Sequence, residues 1–347
     1  MSSIREIVTR QFIGKGKGKT ALKHLTSLNT LKHVFMVNPT SQVLNCDSKY
    51  LWLTKSVLLE GMPQVYDKQL AEATVKRLSS YLHKSILHTK QYQIDPKQRS
   101  KAEFFAQGLL QDILRIFWSI NPLDQHPYMT KASLAYRPSV AAYWTRSNEI
   151  FQIEDHPTYV LRCKYPLGKF ADPIKEEIKP TSYLPVGDLG LFKRQIHLMN
   201  FPGYKIGNPL PYIHTQIIID RKSCTREQRI ARGIMSAFAQ LISHAMHKDR
   251  TLGQALEHPL CCQTILTDGQ QFTFMCYQLN TLNTNATWKG LVNMAWASDS
   301  MNLFYDHSEE DMTINEECLQ HIAQFLNNKP VPFKNVKKSV ASSEAAV

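Results

Sequence analysis

The stretch Gly14-Lys15-Gly16-Lys17-Gly18-Lys19-Thr20 has the composition of a phosphate-binding loop. Such a loop needs G-x-x-x-x-G-K-[ST] between a buried strand and a helix, so that backbone N–H groups curl around the phosphates. The first glycine of that pattern would fall at Ile13, and Gly14 leaves the loop one residue short. No apolar strand precedes it, because Val8 to Ile13 contains Arg10 and Gln11. A flexible basic segment accounts for the same letters.

The other chemistry-bearing residues are read as structural. His244 and His247 stand at i, i+3 near the end of a predicted helix, without a His-Glu-x-x-His pattern. Protonated histidines there suit the negative end of the helix dipole. His214, among Tyr212, Ile213 and Thr215, reads as a hydrogen-bonded core or edge residue. Cys261 and Cys262 are adjacent in a predicted strand, so their thiols point to opposite faces and cannot share a metal. The seven cysteines include no C-x-x-C pair, which argues against a zinc site or a disulfide framework and for buried free thiols in a reducing compartment. No serine sits in a G-x-S-x-G elbow and no G-x-G-x-x-G follows a strand. The expectation is a non-enzymatic protein without catalytic residues, metal or cofactor. An RNA-processing or RNA-modifying enzyme with an unfamiliar site stands as the alternative.

Charge points to a partner class. The chain has 41 Lys and Arg against 29 Asp and Glu, a formal net charge of +12 and a pI near 9.3. Such a balance favours polyanions, since each neutralised phosphate releases counterions without any base readout. The 43% hydrophobic content is that of a globular chain, and no uninterrupted apolar run is long enough to span a membrane. At the N-terminus Arg5, Arg10, Lys15, Lys17, Lys19 and Lys23 face one acid, Glu6. This is the composition of a mitochondrial transit peptide and equally of an RNA-threading arm, and cleavage before Gly14 would allow both in turn. Lys193 and Arg194 follow Phe192 in a region read as irregular, a grouping suited to phosphate contact or base stacking. Lys334, Lys337 and Lys338 make the tail basic. Asp299, Asp306, Glu309, Glu310, Asp311, Glu316 and Glu317 form an opposing acidic side.

These residues must be carried by a mixture of elements. Periodicity predicts helices over 66–88, 101–120, a segment capped by Thr225 and Gln228, and 315–326, the last with a capping box of Thr313 and Glu316. The 101–120 helix is apolar on more than one face, so either the C-terminal sheet covers it or a neighbouring protein does. Short strands are expected at 133–136, 140–146, 158–163, 212–220, 291–296 and 302–305, and a hairpin of 259–267 and 271–279 turns at Asp268-Gly269. Gln278, Asn280 and Thr281 then satisfy backbone groups where that hairpin ends. The fold class is α+β, an N-terminal helical part packed on a C-terminal mixed, largely antiparallel sheet with helices. Its expected parts are a basic arm or transit segment (1–35), a helical part (36–130), a sheet-and-helix part (131–330) and a basic tail, partly disordered (331–347).

Several runs resemble a known family when taken in order. They are Thr54-Lys55-Ser56-Val57 through Gly61-Met62-Pro63, Tyr143-Trp144-Thr145-Arg146, Leu191-Phe192-Lys193-Arg194-Gln195, Tyr212-Ile213-His214-Thr215-Gln216, Ile265-Leu266-Thr267-Asp268-Gly269, Cys276-Tyr277-Gln278-Leu279-Asn280-Thr281-Leu282 and Gln324 to Pro330. The set is similar to the programmed-cell-death-protein-nine family of mitochondrial ribosomal proteins, first catalogued with the small subunit and belonging to the large one. A sister branch, a large-subunit paralogue, shares the Leu51-Trp52-Leu53-Thr54-Lys55 and Gln278–Thr281 stretches. The Phe192–Gln195 and Cys276–Leu282 runs favour the first branch. The resemblance implies a structural constituent of the mitochondrial large ribosomal subunit in the matrix. Its implied partners are mitochondrial rRNA and other large-subunit proteins, the related paralogue being a candidate neighbour. It implies no catalytic residues.

Overall fold

A computed structural model describes residues 31–67, 71–91, 101–120, 131–177, 186–220, 224–248, 250–285, 289–307 and 312–332. In chain order its elements begin with β1 (Lys32–Val37), α1 (Cys46–Thr54), β2 (Ser56–Leu59), α2 (Glu72–Gln91) and α3 (Lys101–Ile120). Then come β3 (Ser133–Tyr136), β4 (Val140–Arg146), β5 (Glu149–Asp155), β6 (Tyr159–Cys163), β7 (Lys175–Glu177), β8 (Lys193–Ile196), β9 (Tyr212–Ile219) and α4 (Arg226–His247). The remainder is β10 (Ala255–Thr267), β11 (Gln271–Thr281), β12 (Lys289–Leu291), β13 (Asn293–Ala297), β14 (Met301–Asn302), β15 (Phe304–Asp306), β16 (Met312–Ile314) and α5 (Glu316–Asn327).

The eight-stranded sheet runs β2-β13-β11-β10-β9-β6-β3, with β14 beside β11. Its pairs are antiparallel except β13–β2 and β10–β9, the latter joined through α4. This is the mixed, largely antiparallel sheet of an α+β protein. Its centre is the β10–β11 hairpin. Asp268 Oδ1 accepts from the backbone of Gln270 and Gln271 at 3.0 and 2.8 Å. Gly269 stands at φ 98°, and a Cβ there would lie 2.9 Å from Phe105 and 3.0 Å from Ala106, so turn conformation and helix approach both require glycine. A second, four-stranded sheet runs β4-β5-β1-β8.

Four layers result. α2, α3 and α5 cover one face of the large sheet, where Leu82, Leu109, Phe117 and Phe325 meet Phe272, Phe274 and Trp296. α4 and α1 lie on the other face, and the four-stranded sheet packs over them through Trp144, Phe151 and Ile153. α4 is buried along nearly its whole length, as a helix between two sheets must be. Its capping box forms, with Thr225 Oγ1 accepting from the Gln228 backbone N–H at 3.3 Å and Gln228 Oε1 accepting from the Thr225 backbone N–H at 3.0 Å. Most of the apolar surface of α3 is covered within the chain, with Leu109, Leu110, Ile113, Leu114 and Phe117 all buried.

Some boundaries differ from the expected ones. The first long helix starts at Glu72, and Tyr66 sits instead in a short 3-10 turn, its hydroxyl 2.6 Å from Gln263 Oε1. Thr313 is paired in β16, so Asn315 caps α5 by accepting from Glu317 and Cys318. The Lys193–Ile196 segment is an edge strand rather than an irregular connection. Among the described residues, no helix is long and apolar enough to cross a membrane.

Candidate nucleic-acid interface

Of the residues expected to meet RNA, Arg5, Arg10, Lys15, Lys17, Lys19, Lys23, Lys334, Lys337 and Lys338 lie outside the described residues. Lys193 and Arg194 lie on β8, an edge strand of the four-stranded sheet. Adjacent strand residues point to opposite faces, and the two cations differ accordingly. Lys193 Nζ is 2.9 Å from Glu149 and 5.0 Å from the centre of the Phe35 ring. Arg194 stacks its guanidinium 4.8 Å from the exposed Phe192 ring. An arginine on an exposed aromatic can engage a phosphate while the ring meets a base. β8 pairs with β1 so that Ile196 lies opposite Lys32, close to where the basic N-terminal segment joins the described fold.

The polar residues of the family-like runs come together elsewhere, inside the molecule. Trp144 Nε1 donates to the Leu53 carbonyl at 3.0 Å, and Arg146 donates to Trp52 at 2.9 Å and Thr284 at 2.8 Å. Lys55, in the left-handed conformation at the end of α1, reaches the Asn283 carbonyl at 3.1 Å. Ser56 Oγ is 2.6 Å from the Tyr277 hydroxyl. Asn293 holds the network together, donating to Thr54 at 3.0 Å and accepting from the backbone of Asn280 and Thr281 at 2.8 and 3.0 Å. Asn280 donates to Val292 at 2.8 Å, and Gln278 both donates to Ala171 and accepts from Phe170. These side chains satisfy backbone groups and tie α1, β2, β4, β11 and β13 into one body.

Some of the positive charge is also internal. Arg146 and Arg162 are buried, and desolvation pushes each down to about 10. Arg162 donates to Pro202 at 2.7 Å and lies 4.8 Å from the Tyr204 ring. Net charge alone therefore overstates the cationic surface, and nothing in the sequence separates a buried arginine from an exposed one.

The histidines and thiols follow the same logic. His214 is buried between Thr215 and the Asn328 carbonyl, and burial lowers it to about 4. The helix-end position predicts a cationic His244, but its ring is buried against Tyr204 and Tyr212. Desolvation, followed by Arg162 and Lys248, drives it down to about 3, so it is neutral. Cys261 and Cys262 face opposite ways in β10, and burial raises Cys261 to about 12. Six cysteines are buried, and Cys224 is half-buried. Among the described residues no cluster could hold a metal ion. A cavity of about 840 Å³ opens past the carboxyl ends of β1, β5 and β9, lined by Asn38, His156, Asp220 and Arg232 among others. Its buried arginine is held by Asp155 at 2.6 Å, and burial lifts Asp220 to about 6.

Comparison with known proteins agrees with the family that the ordered runs resemble. A family model described as mitochondrial 28S ribosomal protein S30 (PDCD9) matches residues 19–157 and 147–330. The large ribosomal subunit protein mL37 of Rattus norvegicus is 26% identical over 274 residues, covering 74% of this chain and 63% of that protein. Its Gallus gallus counterpart is 26% identical over 298 residues, covering 80% and 65%, and that of Mus musculus 24% over 306 residues, covering 82% and 69%. The chain thus spans a little under two thirds of the length of the rat and chicken relatives.

Proposed function

The chain belongs to the mitochondrial 28S ribosomal protein S30 (PDCD9) family, and on that premise we propose that it is a non-enzymatic structural constituent of the large subunit of the mitochondrial ribosome. The relatives it matches bear the name of a large-subunit protein. The observation that carries the structural reading is the buried network, in which Trp144, Arg146, Asn280 and Asn293 direct their polar atoms at the protein's own backbone. Residues of that kind build a rigid body.

On this reading the body works in the mitochondrial matrix and contacts rRNA through its basic arm (1–35), the β8 edge and its tail (331–347). Its 36–130 and 131–330 parts meet neighbouring large-subunit proteins, the related paralogue among the candidates. Depleting the protein should reduce assembled large subunits and mitochondrial translation while small subunits persist. Intact large subunits with accumulated unprocessed or unmodified RNA would favour an RNA-processing or RNA-modifying enzyme instead.

A further inference from the structure

The helix α2 has two faces of opposite character. Val75, Leu78, Leu82 and Ile86 are buried against α3 and α5. Ser85 Oγ, 2.6 Å from Asp112 Oδ2, adds a polar tie to α3. At about 100° per residue the opposite face presents Lys76, Arg77, Ser80, Tyr81, Lys84 and His88, all exposed. From Ala73 to Gln91 there is no Asp or Glu. Lys76, Ser80, Lys84 and His88 follow one another at i, i+4, a row with a spacing of about 6 Å and about 12 Å between the two lysines.

An ordinary solvated helix face mixes signs at that spacing, because i, i+4 pairs of opposite charge help the helix and like charges weaken it. This face has one acid at its start, Glu72, which lies 2.6 Å from Lys76 with both side chains exposed. So exposed a pair is worth little, and a phosphate can take the carboxylate's place. Lys90, on the flank, is held by Asp306.

We infer that the solvent face of α2 is a second RNA-contacting surface, on which Lys76, Arg77 and Lys84 meet the phosphates of an RNA backbone. Tyr81, 49% exposed, lies beside them to pack on a sugar or base. The inference rests on the RNA-binding reading above and adds a site to it. A protein partner is the poorer fit. Protein interfaces centre on a desolvated cluster of apolar anchors, and Tyr81 is the one large apolar side chain exposed on this helix. A row of cations with a hydroxyl between them suits a sequence-tolerant grip on a polyanion.

The test uses the purified full chain, a 20-base-pair RNA duplex and transcribed mitochondrial large-subunit rRNA, with affinity measured across a salt series. One variant combines Lys76→Gln, Arg77→Gln and Lys84→Gln, and a second combines Lys193→Gln and Arg194→Gln. Because the α2 residues project into solvent, the first variant should melt like the parent. It should bind both RNAs about tenfold or more weakly at moderate salt, with a log–log salt slope shallower by about 2 to 3. Unchanged affinity and slope in the α2 variant, alongside weakened binding in the β8 variant, overturns the α2 site and leaves the RNA reading standing. A parent chain with no salt-dependent RNA binding overturns both. An α2 variant that keeps its RNA affinity but drops out of the assembled particle gives this face to an acidic protein and also overturns the inference.

Discussion

Arg146 Nε lies 2.9 Å from the carbonyl oxygen of Trp52, and its guanidinium carbon lies 4.7 Å from the centre of that residue's ring. One side chain thereby joins the four-stranded sheet to the end of α1, and its Nη1 reaches Thr284 on the loop after β11.

Arg146→Met should therefore act through the carbonyls it leaves behind. Each buried acceptor without a partner costs about 1–3 kcal/mol, so a loss of about 3 kcal/mol is expected. Arg146→Lys should recover part of it, since a lysine supplies charge but not the planar fork. Urea unfolding at constant slope measures both. A change below about 0.5 kcal/mol in the methionine variant would contradict a role for this contact in holding the layers together.

Acid stability gives a second expectation. Burial pushes His214 down to about 4 and His244 down to about 3 in the folded protein, against 6.5 for an unperturbed histidine. Below pH 6.5 the unfolded chain binds protons that the folded histidines refuse, so their contribution is lost as the pH falls. Asp220 acts in the opposite sense. Its folded value of about 6 stands above the ordinary 3.8, so its contribution is lost as the pH rises toward 6. Two groups outweigh one, and between pH 6 and 4.5 these sites together should remove about 1.4 kcal/mol per pH unit on acidification. Asp220→Asn should steepen that fall and His244→Asn should flatten it, as read by unfolding at stepped pH. An Asp220→Asn variant with a shallower profile would contradict the assignment.

What the sequence revealed depended on how local each signal was. The Thr225–Gln228 cap and the Asp268-Gly269 turn are short-range chemistry, and both form. The helix Cys46–Thr54 has no side-chain cap at Asn45 and is buried on several sides, so neither a start signal nor a clean stripe marks it. The strand Glu149–Asp155 follows Ser147 and Asn148, both at positive φ, and its inward-facing Asp155 breaks the apolar alternation. That acid is stabilised by Arg232, 77 positions away in the sequence. β8 exists only because it pairs with Lys32–Phe35, far away in the chain. The internal network is equally non-local, as the separation of 94 between Trp52 and Arg146 shows. The motif runs could be seen in the sequence, but not their convergence.

The β8 edge makes a discriminating prediction about its two cations. Lys193 already has Glu149 at 2.9 Å, whereas Arg194 lies on the Phe192 ring. Arg194→Gln should weaken binding to mitochondrial rRNA several-fold at moderate salt and lower the salt slope by about one contact. Lys193→Gln should do markedly less. Equal effects, or a larger one from Lys193, would mean that the Glu149 pair opens on binding.

Membership of the large subunit can be read by sedimenting mitochondrial lysate from cells that carry the tagged full chain through a sucrose gradient at moderate salt. Such membership requires that the tagged chain comigrate with the large subunit and its rRNA, stay with it when magnesium is lowered enough to part the two subunits, and leave little at the top of the gradient. A chain found chiefly at the top, or migrating with the small subunit, would contradict it.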